Sequence, residues 1–219
     1  MKKNLLFLCL IILTSFSLSA QFGVVNQKVI GGTINLGFNK ADGTMAPNYY
    51  QQSNASLGFS YGKFTKKNTL SIFSLSYNIS SSKNDVGLNT ITNKSNGFTV
   101  GYRKIYYKEI APKLYAGIGV GGNIGYTNST QKQSIFAGKN ETSIYSASVD
   151  LAPSLSYQIS SRFMVNLNAN NFASLNYIHS KNRDQLGNTG KMNGVGFNAG
   201  FFSNPFNNMS FGFSYLLKN

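Results

Sequence analysis

Apolar and polar side chains alternate with a period of two between Ser143 and Gln158. The apolar row consists of Tyr145, Ala147, Val149, Leu151, Pro153, Leu155 and Tyr157, and the row between them is mostly serine. This period predicts a β-strand with one apolar face and one polar face. Because tyrosines end the apolar row and the segment exceeds the usual strand of about 5–6 residues, it is typical of a strand that crosses a membrane.

The same alternation recurs along the chain and predicts eight strands, an even number as expected of bacterial single-chain barrels. They cover about 29–39, 55–64, 70–79, 97–107, 114–126, 143–158, 163–177 and 193–217. The last is predicted as one long strand, interrupted near Pro205, since its apolar positions keep the same parity on both sides of that proline. The outer halves of the last two strands should project as a hairpin. Pro153 lacks a backbone N–H and predicts a bulge in the sixth strand.

The connections between these strands alternate between long and short. Four contain about 14–17 residues and the three between them about 3–6, which is the asymmetry of an outer-membrane barrel. The pattern therefore predicts an all-β fold, an eight-stranded antiparallel up-and-down transmembrane β-barrel with short periplasmic turns and longer external loops. Its aromatic side chains should form two girdles. The inner girdle is predicted to contain Tyr61, Tyr106, Tyr157, Phe163 and Tyr215. The outer girdle is predicted to contain Phe98, Tyr126, Tyr145 and Tyr177.

The first twenty residues have the order of a secretory signal peptide: two lysines, an apolar run, then small and polar residues. We expect cleavage after Ala20, with a cut after Ser19 as the alternative; cleavage after Ala20 leaves one domain over 21–219. The single cysteine, Cys9, lies inside the signal, so the mature chain should form no disulfide. Without the signal the chain has 18 Lys and Arg against 6 acids. These cations are dispersed over turns and loops, so we expect them to meet anionic lipid headgroups and not nucleic acid.

Candidate catalytic and cofactor motifs are weak. Residues 117–122 match G-x-G-x-x-G, but a strand running into a loop surrounds them instead of a strand followed by a helix. The only histidine, His179, is predicted to lie in a polar loop without fixed partners. We therefore predict no catalytic, cofactor or metal site. Arg103 and Asp150 differ because both occupy inward rows, separated by a strand whose inward residues there are glycines. A buried charge must be paired, which predicts an ion pair or a hydrogen-bonded network in the lumen. Its role is a structural plug or, alternatively, selectivity or gating.

The run LAPSLSYQISSRFMVNLNA (151–169) and the closing FGFSYLL (211–217) resemble the small outer-membrane β-barrel domain proteins of Gram-negative bacteria, the eight-stranded OmpA/OmpX-like class. The resemblance covers nearly all of the mature chain and rests on architecture. It implies an integral outer-membrane location, insertion by the barrel-assembly machinery, contact with lipid and lipopolysaccharide, and a monomer.

Three hypotheses for function follow. The first is a non-enzymatic barrel with a structural or surface-interaction role through its external loops. The second is a narrow channel or small-ligand transporter, because the inward rows are mainly Gly, Ser, Thr and Asn. The third is a secreted soluble β-barrel binding protein. A soluble barrel would keep its apolar row inside, with no aromatic girdles outside, which disfavours the third hypothesis.

Overall fold

A computed structural model describes residues 23–42, 48–86, 89–134, 138–169, 172–199 and 209–217. The predicted signal peptide and the predicted interruption at Pro205 lie outside these residues. Within the described ranges, no helix has the length and apolarity needed to cross a membrane.

The described residues form ten β-strands, and every strand pair is antiparallel. The strands are β1 (Lys28–Asp42), β2 (Asn48–Lys66), β3 (Thr69–Val86), β4 (Asn89–Ala111), β5 (Leu114–Gln133), β6 (Lys139–Gln158), β7 (Phe163–Ala169), β8 (Ala173–Arg183), β9 (Thr189–Asn198) and β10 (Met209–Leu216).

Eight of these strands close into a ring in the order β1, β2, β3, β4, β5, β6, β7 and β10, and β10 pairs again with β1. The predicted eight-stranded up-and-down barrel is confirmed. The predicted seventh strand is divided into β7 and β8, and the eighth into β9 and β10. Strands β8 and β9 form a hairpin that pairs with the outer half of β6, as predicted for the projecting halves of these strands.

The strands extend well into regions that the sequence pattern assigns to loops. Residues 80–95 were predicted as a loop, yet β3 continues to Val86 and β4 begins at Asn89. His179 likewise lies on β8 and not in a loop. Outside the membrane both faces of a strand meet water, so side-chain polarity no longer alternates, whereas ladder hydrogen bonds still satisfy the backbone. Hydrophobic periodicity therefore marks the membrane-spanning length and underestimates the strand.

Strand β6 changes its partner at Pro153. On one edge its register with β5 runs without a shift from Leu114 opposite Tyr157 to Lys132 opposite Lys139, so the bulge predicted in β6 is absent. On the other edge β6 pairs with β8 up to Leu151 and with β7 from Ser154. Between these two pairings β6 contributes two residues, 152 and 153, whereas the opposite edge contributes four, 169–172. The two extra residues therefore lie between β7 and β8. Pro153 lies where the ladder on that edge is already interrupted, a position that tolerates a missing N–H.

Large apolar side chains cover the outside of the barrel. Many are more than half exposed, among them Leu36, Phe38, Leu57, Phe73, Ile124 and Phe211. A continuous exposed apolar surface marks contact with a partner or a membrane. The arrangement is the reverse of a water-soluble barrel, which turns such side chains inward.

Apolar side chains also close the lumen at the end with the short turns. The cluster contains Val29, Phe64, Leu70, Tyr115, Met164 and Leu216, with Ile72, Ile105 and Tyr107 packed against it. Phe64 and Leu216 have no exposed surface, and Met164 has 1 %. We call this cluster the lumen floor. It was not predicted, because the small residues that dominate the inward rows led us to expect a polar interior.

Candidate functional site in the barrel lumen

Three adjacent strands bring two charged side chains to one level of the lumen. Arg103 on β4 lies opposite Gly121 on β5, and Gly121 lies opposite Asp150 on β6. Since neighbouring strands are about 4.8 Å apart, Arg103 and Asp150 are separated by about 10 Å of backbone. A fully extended arginine spans much of this distance, but only if the intervening strand carries no bulky inward side chain.

Arg103 Nη2 donates a hydrogen bond to Asp150 Oδ2, so the two side chains form an ion pair. Asn123 Nδ2 donates to the other carboxylate oxygen, Oδ1, at 2.8 Å. Asp150 is 5 % exposed, so this charge-assisted network holds a carboxylate that has almost no contact with solvent. Asn123 was given no role from the sequence. Its position two residues from Gly121, on the same inward row, was the signal that could have indicated one.

The glycines of β5 provide the path for the arginine stem. A Cβ atom on Gly119 would lie 2.6 Å from Arg103 Cδ, and one on Gly121 would lie 2.9 Å from Arg103 Cβ. Any side chain at these positions would displace the arginine. The G-x-G-x-x-G match at 117–122 therefore lies within a continuous strand, and its first three glycines face the lumen.

A polar cavity of about 360 Å³ lies beside the ion pair, above the lumen floor. Arg103, Asn123 and Asp150 line one side, and inward serine, threonine and asparagine side chains of the other strands line much of the rest. Leu70, Ile72, Ile105 and Tyr107 of the lumen floor also line it. Below it, Ser156 donates to Asn166 Oδ1 and Asn166 Nδ2 donates to Ser214, both at 2.8 Å. A polar cavity of this size accommodates ordered water molecules. Its chemistry suits hydrogen bonding to water or to a small polar solute.

The structure places the predicted outer girdle mostly in one row of neighbouring aromatic rings. Phe98 lies opposite Tyr126, and Tyr126 opposite Tyr145. Their ring centroids are 5.9 and 5.1 Å apart. His179 extends the row, with its ring 6.2 Å from that of Tyr145, and its Nδ1 lies 2.7 Å from Asn193 Oδ1. Tyr177 lies on β8 beside this row and is also exposed.

The predicted inner-girdle residues lie near the short turns, on the outer face of the barrel. Four of them, Tyr61, Tyr106, Phe163 and Tyr215, are exposed, and Tyr157 is partly buried. Phe163 lies directly opposite Tyr215. Tyr61 lies opposite Phe73, which was not predicted as part of the girdle. This level of the barrel therefore carries more aromatic surface than predicted.

The external hairpins form a second polar site. A cleft of about 660 Å³ between the β5–β6 and β8–β9 tips is lined by Lys132, Lys139, Arg183 and other polar residues. At its edge, Asp184 accepts hydrogen bonds from the backbone N–H groups of Leu186 and Asn188. The Asn188 side-chain amide also donates to this carboxylate at 2.8 Å and lowers the pKa of Asp184 below its usual value. Among the described residues, no group of three or more His, Cys, Asp or Glu side chains converges on one point.

A solved structure of similar fold is a major outer membrane protein from Thermus thermophilus. It superposes with a TM-score of 0.51 at 9 % sequence identity, over 87 % of this chain and 99 % of that one. The fold is that of an outer-membrane β-barrel protein. Among other outer-membrane barrels, the N-terminal domain of Pseudomonas aeruginosa OprF is 14 % identical with a TM-score of 0.41, covering 88 % of this chain and 98 % of that one. Yersinia pestis Ail, the attachment invasion locus protein, is 11 % identical with a TM-score of 0.39, covering 89 % of this chain and all of its own. No protein-family model and no curated protein sequence matches the chain.

Proposed function

We propose that this protein is a non-enzymatic, integral outer-membrane β-barrel of a Gram-negative bacterium, exported by a cleaved signal peptide. Its function is structural or surface-interacting, through its external hairpins. The observation that carries the proposal is the inversion of polarity: exposed apolar and aromatic side chains outside the barrel, and a paired, hydrogen-bonded ion network inside it. A surrounding lipid phase makes this arrangement favourable, because it removes the outer apolar surface from water.

The location is tested by alkaline carbonate extraction of membranes and by electrophoresis of unboiled and boiled samples. An inserted barrel stays in the membrane pellet and migrates differently after boiling, since heat is needed to unfold it in detergent. Release of the protein by carbonate would overturn the proposed location. The same membranes, separated by density, distinguish the outer from the inner membrane.

The external partner that best fits the hairpin tips is lipopolysaccharide. The cleft between the tips brings Lys132, Lys139 and Arg183 together, and Gly138 packs against the Gln185 side chain, so the two hairpins are in contact. Glu141, which pairs with Lys139, and Asp184 also line the cleft and offset two of its three positive charges, which leaves one net positive charge. Lipopolysaccharide carries phosphate groups that such cations bind. We further propose that the protein inserts as a monomer with the help of the barrel-assembly machinery.

The lipopolysaccharide proposal is tested by replacing the three cleft cations with glutamine. Purified, refolded protein is titrated with lipopolysaccharide and with a dephosphorylated form of it. Phosphate recognition predicts weaker binding of the intact form by the variant, and weaker binding of the dephosphorylated form by the wild type. Equal affinities in all four measurements would contradict the assignment.

A narrow channel is the second candidate, and the polar cavity beside the ion pair favours it. The lumen floor opposes it, because a continuous water path would have to cross buried Phe64, Met164 and Leu216. Planar-bilayer recordings decide between the two. Conductance above background in the wild type, or conductance opened by Asp150→Ala alone, would favour a channel gated by the ion pair. Background conductance in both proteins supports the closed barrel.

A further inference from the structure

A row of cations crosses the outer face of four neighbouring strands near the short turns. Lys28 lies opposite Lys63, Lys63 opposite Ser71, and Ser71 opposite Lys104. Lys28 and Lys63 are exposed, and Lys104 is partly exposed. Three of four adjacent positions on β1–β4 are therefore positively charged, on the surface that faces lipid in the proposed membrane location. We call this set the basic row.

The basic row borders the apolar belt on its turn side. The next outward row consists of Ile30, Tyr61, Phe73 and Tyr102, again in direct register. Tyrosines at this depth lie at the headgroup level of a bilayer, so the lysines next to them meet the headgroups. The Lys104 ammonium lies 5.8 Å from the centroid of the Tyr106 ring, which is nearer the turns. Lys104 therefore extends toward the membrane surface and away from the hydrocarbon.

The lysines of the basic row have no compensating acid in the described part of the chain. The ion pairs found there join Lys83 to Asp85, Arg103 to Asp150, and Lys139 to Glu141. Directly opposite residues have Cβ atoms about 4.5–5.5 Å apart, and like charges in such pairs are destabilising. Next to the apolar belt the effective dielectric constant is lower than in bulk water, so the repulsion between Lys28 and Lys63 is stronger there. An anion supplied by the membrane would relieve it.

Within this row the charged positions lie on one side of the barrel. Beyond Lys104 the same row continues with Val120 on β5 and Leu151 on β6. Near the turns, the outer positions of β6, β7 and β10 carry Tyr157, Phe163 and Tyr215 instead of lysines. Arg162, in the turn between β6 and β7, donates a hydrogen bond to the Tyr215 hydroxyl at 3.5 Å but lies outside the row. The alignment of three lysines on adjacent strands indicates a localised site on β1–β4.

We propose that the basic row binds the phosphate of an anionic glycerophospholipid, of the phosphatidylglycerol class, in the periplasmic leaflet. Lys28, Lys63 and Lys104 neutralise the phosphate, and the aromatic row above them contacts the glycerol and upper acyl chains. Tyr102 donates its hydroxyl to Ser71 Oγ at 3.3 Å, which leaves the Ser71 hydroxyl hydrogen available to the phosphate. This inference rests on the proposed membrane location and adds to it a lipid class and a leaflet.

The test uses the full-length mature protein, refolded in neutral detergent micelles and shown to be folded by its heat-modifiable migration. Phosphatidylglycerol and, separately, zwitterionic phosphatidylcholine are titrated in, and bound lipid is counted by native mass spectrometry. The variant is the triple substitution Lys28→Gln, Lys63→Gln and Lys104→Gln. Each lysine near an anionic lipid surface contributes about 1 kcal/mol, which corresponds to roughly 5-fold in affinity. We expect at least a tenfold loss of phosphatidylglycerol affinity and no change for phosphatidylcholine.

The matched control is the triple substitution Lys94→Gln, Lys181→Gln and Lys191→Gln on the external part of the barrel. It removes the same charge, and Lys181 also lies directly opposite Lys191. We expect less than a twofold change from this control. Equal losses in both variants, or equal wild-type affinity for the two lipids, would overturn the basic row as a lipid site while leaving the membrane location intact. Binding of inorganic phosphate as tightly as phosphatidylglycerol would overturn the lipid as occupant, because the contacts of the aromatic row with the lipid would then add nothing. A wild-type protein released by carbonate would remove the location and the inference together.

Discussion

Removing Arg103 from its ion pair with Asp150 should lower the free energy of unfolding more than removing Asp150. Replacing Arg103 with Met leaves the Asp150 carboxylate, 5 % exposed, with Asn123 as its remaining donor. Removing one partner of a buried pair costs about 3–5 kcal/mol, and we expect the upper part of that range here. Asp150→Ala leaves instead the Arg103 guanidinium, whose side chain is 26 % exposed and faces the polar cavity. Water can solvate it, so a cost near about 3 kcal/mol is expected.

The double variant, Arg103→Met with Asp150→Ala, separates pairing from packing. With both charges gone no desolvated ion remains, so the double variant should unfold with a free energy closer to the wild type than the Arg103→Met variant does. The assay is urea unfolding of protein refolded into vesicles. Because the chain contains no tryptophan, unfolding is followed by far-UV circular dichroism and by gel migration. A cost below about 1 kcal/mol for Arg103→Met, or a double variant whose cost equals the sum of the singles, would refute the buried-pair reasoning.

Three further predictions use matched pairs or pH. Gly119→Ala places a methyl group against the Arg103 side chain and should lower the free energy of unfolding by about 1–3 kcal/mol in the same assay. Gly122→Ala should lower it by less than half of that, because the nearest atom to its added Cβ is Ser148 O at 3.4 Å. Leu75→Lys on the apolar belt should lower the free energy of unfolding in vesicles by about 2–4 kcal/mol. Leu186→Lys at an external tip should leave it almost unchanged. Equal losses would contradict lipid contact at Leu75. The amides of Leu186 and Asn188, in the turn after β8, should stay protected from hydrogen exchange above pH 3.8, the ordinary carboxyl pKa. Their protection should be lost as pH falls through the lowered pKa of Asp184, because protonation weakens this carboxylate as an acceptor. Protection that is insensitive to acid would contradict this.

The barrel itself was predictable because one physical constraint repeats in every spanning strand. Lipid on one side and a polar lumen on the other impose a period of two, and the eight strands and their order follow from counting those periods. The same reasoning could not find the outer ends of β3, β4 and β8, where both faces are wet and no period exists. It also misplaced the irregularity at Pro153. The pattern of one strand carries no information on where a neighbouring strand has extra residues.

The site was predictable in part for a similar reason. Inward parity and the glycines of β5 together indicated that Arg103 could reach Asp150, but the contribution of Asn123 depends on register, which only the paired strands define. The lumen floor was predictable in principle. Phe64, Leu70 and Met164 all have inward parity near a turn, and attention to the inward row at its ends, instead of its middle, would have identified them.

The two barriers in the lumen have different physical consequences. The floor excludes water by packing, so its closure does not depend on charge or on salt. The ion pair bridges β4 and β6 across β5, which has no inward side chain at Gly119 and Gly121. The Arg103 side chain occupies the space that is left there. In eight-stranded barrels inward side chains ordinarily fill such space. If the pair were a gate, the floor below it would have to open as well. The described lumen is therefore better explained as a wall braced by Arg103 above a sealed base, which agrees with the proposed recognition through the external hairpins and the basic row.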